Sequence, residues 1–255
     1  MRAKRVLAII VSLIGLLGAC DSPRTADITS VSDVQDHAVS ETGQEVTEGN
    51  MNTGSGTEHP VPQELENIPE EYYQAAEHQG TLVELTYNTY ESKTYEQKSK
   101  ELTKRAIIYL PYGYSEENKY NVLYLMHGGW SNETSTLGTP VHPNSFKNVI
   151  DHAIESGEVE PLIIVCPTYN NESPEDSADY TLAFYTLTVN YHNELINDLI
   201  PAVEGTYSTY AESTSSEDIK NSRDHRAFGG FSMGSVTTWY TFVNGLDEFR
   251  YFLPM

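Results

Sequence analysis

The sequence predicts an α/β domain in layers, with a mostly parallel sheet between helices. Three apolar runs, at 120–127, 161–165 and 228–231, are nearly continuous, as is typical of central strands covered on both faces. They alternate with segments whose apolar residues recur at helical spacing. Glycine-rich turns follow the first and third runs, at the carboxyl ends of strands where such sheets place their sites.

The amino-acid composition limits the classes of molecule that the protein can bind. The 255-residue chain has 37 acidic and 15 basic residues and a net charge of −22. Such a chain is a poor partner for anionic membrane surfaces and we expect no nucleic-acid partner, because phosphate binding needs clustered Lys and Arg. We interpret the acidity as solubility in an extracellular setting.

Residues 1–20 are predicted to be a lipoprotein signal peptide. A basic start at 2–5 precedes an apolar core at 6–17, which is shorter than the about 20 residues of a membrane-spanning helix. Leu17-Gly18-Ala19-Cys20 then resembles a bacterial lipobox, which implies a lipid on Cys20 and a membrane anchor. The alternative is an ordinary secretory signal with a chance cysteine.

Residues 21–68 are predicted to be a disordered acidic linker. Ser, Thr, Gly, Asp and Glu dominate the segment, and large apolar residues are sparse. Such a chain cannot bury enough surface to offset the entropy of ordering. The folded domain is therefore expected at 69–255.

The first elements of this domain are expected to lie at one edge of the sheet. Pro69 followed by two glutamates favours a short helix over 68–78. Alternation predicts a strand over 81–87, and a second strand over 105–110 stops at Pro111. The polar segment 90–100 between them is a loop or hairpin. These early strands are the candidates for antiparallel pairing.

The later elements are predicted from apolar residues at helical spacing and from helix-breaking residues. Helices are expected at 145–154 and 184–203, with Pro201 kinking or ending the second. Residues 206–224 are polar and exposed, and 249–255 form a last strand. Cys166 follows a buried strand, which gives it a structural role.

A candidate nucleophile lies in Gly230-Phe231-Ser232-Met233-Gly234. This G-x-S-x-G pattern follows a short apolar strand and precedes a helical pattern, the context that a nucleophile elbow requires. The glycines are needed because side chains there would collide with the neighbouring strand and helix. Ser232 is therefore the expected catalytic nucleophile.

Two backbone N–H groups are expected to form the oxyanion hole of an acyl transfer. One belongs to Met233, the residue after the nucleophile. The other comes from the HGG-type loop His127-Gly128-Gly129-Trp130, where Gly129 and Trp130 remain alternatives. His127 is expected to fix this loop by hydrogen bonds.

These motifs carry a family resemblance over 68–255. The segments 109–114, 120–129 and 228–234 resemble feruloyl esterase and acetylxylan esterase domains of bacterial xylan-degrading enzymes, which are esterase-D-like α/β-hydrolases. The resemblance implies a three-layer α/β-hydrolase sandwich and an acyl-enzyme at Ser232. It also implies hydrolysis of feruloyl or acetyl esters of xylan, without a cofactor. We expect no metal site, and the predicted lipid anchor at Cys20 indicates a location at the cell surface.

One departure concerns the rest of the catalytic triad. In this family an Asp or Glu and then a His follow the nucleophile, whereas no histidine follows Ser232. Asp247 and Glu248 lie at the far end of the elbow helix, and His225 precedes the strand. We therefore expect a chain that is incomplete at the C-terminus, with little or no turnover.

Two further points remain open in the sequence. Trp130, Tyr169 and Asn170 follow strand ends and are candidates for substrate binding, with loop packing as the alternative.

The missing base also fits a non-catalytic carbohydrate-binding lipoprotein on an esterase scaffold. A third reading is an acyltransferase of the antigen 85 type.

Overall fold

A six-stranded mixed sheet forms the centre of the molecule. The computed structural model describes residues 67–255, so the predicted signal peptide, Cys20 and nearly all of the linker lie outside the described residues. The strands are β1 (Thr81–Tyr90), β2 (Glu101–Leu110), β3 (Asn121–Met126), β4 (Leu162–Cys166), β5 (Arg226–Gly230) and β6 (Tyr251–Pro254). They lie in the order β1-β2-β4-β3-β5-β6.

The direction of the strands changes twice across the sheet, because only β2 runs opposite to the other five strands. β1 and β2 form an antiparallel hairpin from Thr81 opposite Leu110 to Tyr90 opposite Glu101, and β2 runs antiparallel to β4. β4, β3, β5 and β6 are all parallel. The predicted antiparallel edge on a mostly parallel sheet is confirmed.

Helices cover both faces of the sheet. They are α1 (Ser145–Glu155), α2 (residues 180–204), α3 (Ser216–Asn221) and α4 (Met233–Asn244). α2 contains two π-helical stretches, Ala183–Leu187 and Leu195–Leu199. Pro201 does not end this helix, because the π-helical stretch just before it has already shifted the hydrogen-bond ladder; α2 continues to Glu204.

Two apolar cores separate the three layers. Tyr124, Phe228 and Leu187 belong to the core under α2 and α4. Leu125, Ile164 and Val149 belong to the core under α1. The three-layer prediction therefore holds for the described residues.

One local prediction was wrong. The expected helix over 68–78 is only a 3-10 turn, Glu70–Tyr73, preceded by a buried Ile68 that anchors the segment in the second core. The polar segment 206–224 is mostly exposed, as predicted, and also contains α3, whose first turn is capped by Ser215 Oγ accepting from the Asp218 N–H. Within 67–255, none of the helices has both the length and the apolar character needed to span a bilayer.

Buried polar contacts join the layers. Lys104 Nζ on β2 lies 2.7 Å from Glu194 Oε2 on α2, and Tyr87 OH donates to the other oxygen of Glu194. Arg226, at the start of β5, pairs with Glu204 at the end of α2. Cys166 is buried at the end of β4, where burial raises the pKa of its thiol.

Candidate active site

The turn between β5 and α4 holds Ser232 in a strained backbone conformation. Its φ is 54° and its ψ is −118°, a region that non-glycine residues rarely occupy. A Cβ on Gly230 would lie 2.8 Å from the Met126 oxygen, and one on Gly234 would lie 2.5 Å from the same oxygen. The glycines therefore allow β5 and α4 to pack against β3 while the serine side chain stays exposed.

Met233 is the first residue of α4, and its side chain is buried in the core. Within 67–255 its backbone N–H meets no hydrogen-bond acceptor, whereas the Ser232 N–H donates to the Met255 oxygen at 2.9 Å. A free N–H at a helix N-terminus stabilises negative charge that develops beside it. The Met233 N–H is thus available to an oxyanion next to Ser232.

The loop after β3 lies against this turn. Met126 is paired with Gly230 across the parallel strands β3 and β5. A Cβ on Gly128 would lie 3.1 Å from the Phe231 ring and 3.4 Å from the Phe231 oxygen. The structure therefore brings together the two segments that the sequence nominated for nucleophile and oxyanion hole.

The two alternatives for the second donor differ in their hydrogen bonds. The Trp130 N–H donates to the Ser177 oxygen at 3.0 Å, so it is already engaged. The Gly129 N–H has no acceptor within 67–255, and the atom nearest to a Cβ there is Ser177 O at 3.6 Å. This favours Gly129 over Trp130 as a donor. The Trp130 side chain is 75% exposed and remains a candidate for substrate contact.

His127 fixes the loop from within. Its Nδ1 lies 2.7 Å from the Gly128 oxygen, and its Nε2 lies 2.7 Å from Thr168 Oγ1. A carbonyl can only accept, so Nδ1 carries the proton and Nε2 accepts from the Thr168 hydroxyl. Burial lowers the pKa of His127 to about 4, which keeps the ring neutral. His127 therefore supports the loop instead of acting as a base.

Two of the candidates for substrate binding are buried. Tyr169 is 1% exposed, packs against the His127 ring at a tilt of 33° and donates its hydroxyl hydrogen to the Gly128 oxygen at 2.8 Å. Asn170 is 4% exposed and donates Nδ2 to the oxygens of Ser131 and Pro174. Because Tyr169 has no open face for a substrate ring, we correct its assignment to loop support. Asn170 also supports this loop.

The acidic residues after the elbow lie at the other end of the sheet. The Glu248 oxygen accepts from Arg226, the first residue of β5, and Asp247 pairs with Lys220. His225 bonds Asn121 at the start of β3. The expected placement of all three away from Ser232 is confirmed. Within 67–255, the ring hydrogen bonds of the histidines all go to groups other than Ser232.

Sequence reasoning missed two residues that hold the loop. Thr168 donates to His127, and Ser177 accepts from the Trp130 N–H while its hydroxyl donates to Ser131 O. Thr168 follows β4 by two residues, and the carboxyl ends of parallel strands converge, so its position carried a usable signal. Ser177 lies in a polar loop with no such signal.

Comparison with known proteins gives consistent results. Residues 99–253 match the model of a family described as "Putative esterase". Endo-1,4-beta-xylanase Y of Acetivibrio thermocellus is 42% identical over 187 residues, which are 73% of this chain and 15% of that protein. The endo-1,4-beta-xylanase/feruloyl esterase of Xylanibacter ruminicola is 30% identical over 57% of this chain and 18% of its own length.

Solved structures share the fold. A feruloyl esterase module from Clostridium thermocellum, a serine-to-alanine variant complexed with sinapinate, has a TM-score of 0.59 at 42% identity. The match covers 73% of this chain and 57% of that one. The ferulic acid esterase of Anaeromyces mucronatus has a TM-score of 0.51 at 26% identity, covering 72% of this chain and 62% of that one. The fold is thus that of the α/β-hydrolases, and the chain belongs to the esterase family.

Proposed function

We propose that the chain is a serine carboxylic-ester hydrolase with Ser232 as nucleophile. The observation that carries this is the convergence of an exposed, strained Ser232 with two N–H groups, of Met233 and Gly129, that have no acceptor within 67–255. A serine and two unpaired donors beside it supply the nucleophile and the oxyanion hole of an acyl transfer, which also needs a base.

The chemistry proceeds in two steps. Ser232 Oγ attacks the carbonyl carbon of the ester, and the carbonyl oxygen takes the electron pair and accepts hydrogen bonds from Gly129 and Met233. The alcohol then leaves with the proton that the serine gave up, and an acyl-serine remains. Water attacks this ester in the second step, releases the acid and restores the Ser232 hydroxyl.

We propose feruloyl or acetyl esters of plant cell-wall xylan as substrates. One relative is named a xylanase and another a xylanase/feruloyl esterase, and one solved relative holds sinapinate, a hydroxycinnamate. The present chain spans 57% of the chain in that structure. We therefore propose, for this protein, the ester substrates that the names of its relatives indicate. The exposed Trp130 beside the oxyanion loop is a surface on which an aromatic acyl group can stack.

We further propose an extracellular location with a lipid anchor at Cys20. Its support is the sequence of residues 1–20 with the lipobox at 17–20, which lie outside the described residues. The acidic segment 21–68 then tethers the domain away from the membrane. Such a placement suits an enzyme whose substrate is an insoluble polysaccharide.

The test is hydrolysis of methyl ferulate and of an aryl acetate by the 255-residue chain. Because the described histidines all bond groups other than Ser232, we expect a low wild-type rate. Ser232→Ala should reduce that rate to the uncatalysed background, because the nucleophile itself is removed. Ser235→Ala is the matched control, since it lies one turn further along α4 and should keep the wild-type rate. Hydrolysis that Ser232→Ala leaves unchanged, or that Ser235→Ala abolishes equally, would contradict the assignment.

A further inference from the structure

The peptide group between Gly128 and Gly129 carries the proposed second oxyanion donor. Its carbonyl belongs to Gly128 and its N–H to Gly129. Every peptide bond within 67–255 is trans, so the carbonyl and the N–H of this group point in opposite directions. Any contact that fixes the Gly128 oxygen therefore also fixes the direction of the Gly129 N–H.

Two buried side chains hold the Gly128 oxygen. Tyr169 OH donates to it at 2.8 Å, and His127 Nδ1 donates to it at 2.7 Å. Because a carbonyl oxygen has two lone pairs, these two donors fill its capacity. Both side chains are 1% exposed, and burial raises the pKa of the Tyr169 hydroxyl, which therefore keeps its proton and remains a donor. The carbonyl end of this peptide is thus fixed from inside the protein.

The glycine at 128 makes these hydrogen bonds necessary. A Cβ there would lie 3.1 Å from the Phe231 ring, so the close approach of the loop to the turn at Ser232 requires glycine. A peptide between two glycines rotates with little steric hindrance, because neither neighbour has a Cβ. A flip of this peptide would turn the Gly128 oxygen toward the substrate in place of the Gly129 N–H. An oxyanion would then meet an acceptor where it needs a donor.

The peptides that follow are anchored as well. The Trp130 N–H donates to the Ser177 oxygen at 3.0 Å, and the Ser131 N–H donates to Ser177 Oγ at 3.0 Å. Of the three N–H groups in 129–131, that of Gly129 is the one without an acceptor within 67–255. Gly129 therefore lies between two peptides whose orientations are both set by buried groups.

The hydrogen bonds to the Gly128 oxygen also strengthen the donor. Conjugation joins the carbonyl and the N–H in one planar group. A carbonyl that accepts hydrogen bonds withdraws electron density from its N–H, and hydrogen bonds linked in such a chain strengthen one another. The contacts that orient the Gly129 N–H thus also make it a better donor to an oxyanion.

We propose that Tyr169 is a positioning residue for the reaction, whose hydroxyl holds the Gly128–Gly129 peptide with its N–H directed at the developing oxyanion. The inference rests on the proposed function, since an oxyanion forms only if Ser232 attacks an ester. Tyr169 is buried and acts through the Gly128 carbonyl, without contact with the substrate. Loss of its hydroxyl should therefore lower kcat and leave KM nearly unchanged, because an oxyanion donor stabilises the transition state more than the bound ester.

The kinetic test compares Tyr169→Phe with the wild type on 4-nitrophenyl acetate, whose leaving group departs without a proton. The substitution keeps the ring that packs against His127 and removes only the hydroxyl. We expect kcat to fall about tenfold to a hundredfold, as for a displaced oxyanion donor, with KM changed by less than about twofold. Tyr109→Phe is the matched control, because this equally buried tyrosine donates to Asp151 on α1 at 2.7 Å, and it should keep the wild-type kcat.

Nuclear magnetic resonance observes the peptide without ester chemistry. Gly-Gly pairs occur only at 128–129 and 229–230, so a chain labelled with glycine that carries 13C in its carbonyl and 15N in its amino group gives carbonyl–amide correlations for these pairs alone. Gly129→Ala identifies one signal by removing it, and a Cβ there meets only the Ser177 oxygen, at 3.6 Å. In Tyr169→Phe the Gly128 carbonyl signal should move upfield, as expected for a carbonyl that loses a hydrogen bond, while the Gly229 carbonyl signal stays in place.

The Gly229–Gly230 signal, from β5, also shows whether the variant is folded. If Tyr169→Phe does not fold, Thr168→Val repeats the test, because it removes the donor that keeps His127 in the tautomer that bonds Gly128, and it should move the same carbonyl signal.

Three results would overturn the positioning role. They are a kcat of Tyr169→Phe equal to that of the wild type, an equal fall in kcat in Tyr109→Phe, and a Gly128 carbonyl signal that does not move. If Ser232→Ala abolishes hydrolysis and Tyr169→Phe leaves kcat unchanged, the positioning role fails and the esterase stands. If Ser232→Ala hydrolyses the ester as the wild type does, the esterase fails, and the carbonyl signal alone decides whether Tyr169 orients the peptide.

Discussion

At the scale of single residues, the site depends on a histidine that is not a base. His127 uses both ring nitrogens, one toward the Gly128 oxygen and one toward the Thr168 hydroxyl. If the ring were protonated, Nε2 would become a donor and could no longer accept the hydrogen bond from the Thr168 hydroxyl. The geometry of the oxyanion loop is therefore coupled to the neutral state of one side chain.

This coupling predicts a stability change with pH. The pKa of His127 falls from 6.5 to about 4 on folding, because burial disfavours the charged ring. Between these values the unfolded chain binds a proton that the folded chain does not, so stability falls as the pH is lowered. From pH 7 to pH 5 the contribution is about 2 kcal/mol.

Urea unfolding at the two pH values measures this contribution. The wild type should lose about 2 kcal/mol more than His127→Gln, which cannot take up the proton. His142→Asn, which removes an exposed histidine, should lose as much as the wild type. An equal loss in the wild type and in His127→Gln would show that His127 does not carry the effect.

At the scale of elements, a buried ion pair joins the antiparallel edge of the sheet to the long helix. Lys104 on β2 and Glu194 on α2 are 3% and 1% exposed, and Tyr87 on β1 donates to the same carboxylate. Burial raises the pKa of Glu194, against the opposing effect of Lys104. The carboxylate thus depends on the lysine to remain charged.

Removal of one partner should cost more than removal of both charges. Lys104→Met leaves a buried carboxylate unpaired and should lower the free energy of unfolding by about 3–5 kcal/mol. Lys104→Met with Glu194→Gln removes both charges and keeps an acceptor for Tyr87, so it should be more stable than the single variant.

Chemical denaturation gives the comparison. Arg105→Met on the same strand breaks two ion pairs whose arginine is 43% exposed, and should cost at most about 1 kcal/mol. If Lys104→Met is no worse than Arg105→Met, the buried pair does not stabilise the attachment of β2 to α2. If the double variant is less stable than the single one, the cost lies elsewhere than in the unpaired charge.

At the scale of the whole molecule, the excess of acidic residues determines the electrostatic interaction between the protein and a membrane surface. A net charge of −22 is repelled by anionic lipid surfaces. Electrostatic attraction therefore cannot retain the domain at such a surface. The proposed location depends on the lipid at Cys20.

Substitution of that cysteine tests the anchor. In a bacterial host that processes lipoproteins, the wild type should fractionate with membranes, and Cys20→Ser should leave the membrane fraction almost completely. Cys166→Ser is the control for loss of a thiol, because that cysteine is buried in the domain. Equal membrane retention of the wild type and Cys20→Ser would exclude the anchor.

Local patterns were sufficient to predict the parts of the site that depend on backbone geometry. The glycines around Ser232 are dictated by contacts of 2.5–2.8 Å that any Cβ would make, so the motif itself encodes the turn. The central strands were evident because both of their faces are apolar. The antiparallel edge followed from alternation in β1.

Other features depend on contacts between distant segments. Tyr169 is buried because its hydroxyl meets the Gly128 oxygen, 41 residues away in sequence. The short turn at Glu70–Tyr73 replaces a helix because Ile68 is tied into the core under α1. The engagement of the Trp130 N–H depends on Ser177, in a loop without a pattern. Propensity and spacing do not contain this information.

The exposure of both tryptophans has a practical consequence for spectroscopy. Trp130 is 75% exposed beside the oxyanion loop and Trp239 is 58% exposed on α4, and the chain has no other indole. Their emission in the native state already reflects contact with solvent, so it changes little on unfolding. It is suited to detecting an aromatic acid that stacks on Trp130, while circular dichroism is the better signal for loss of the fold.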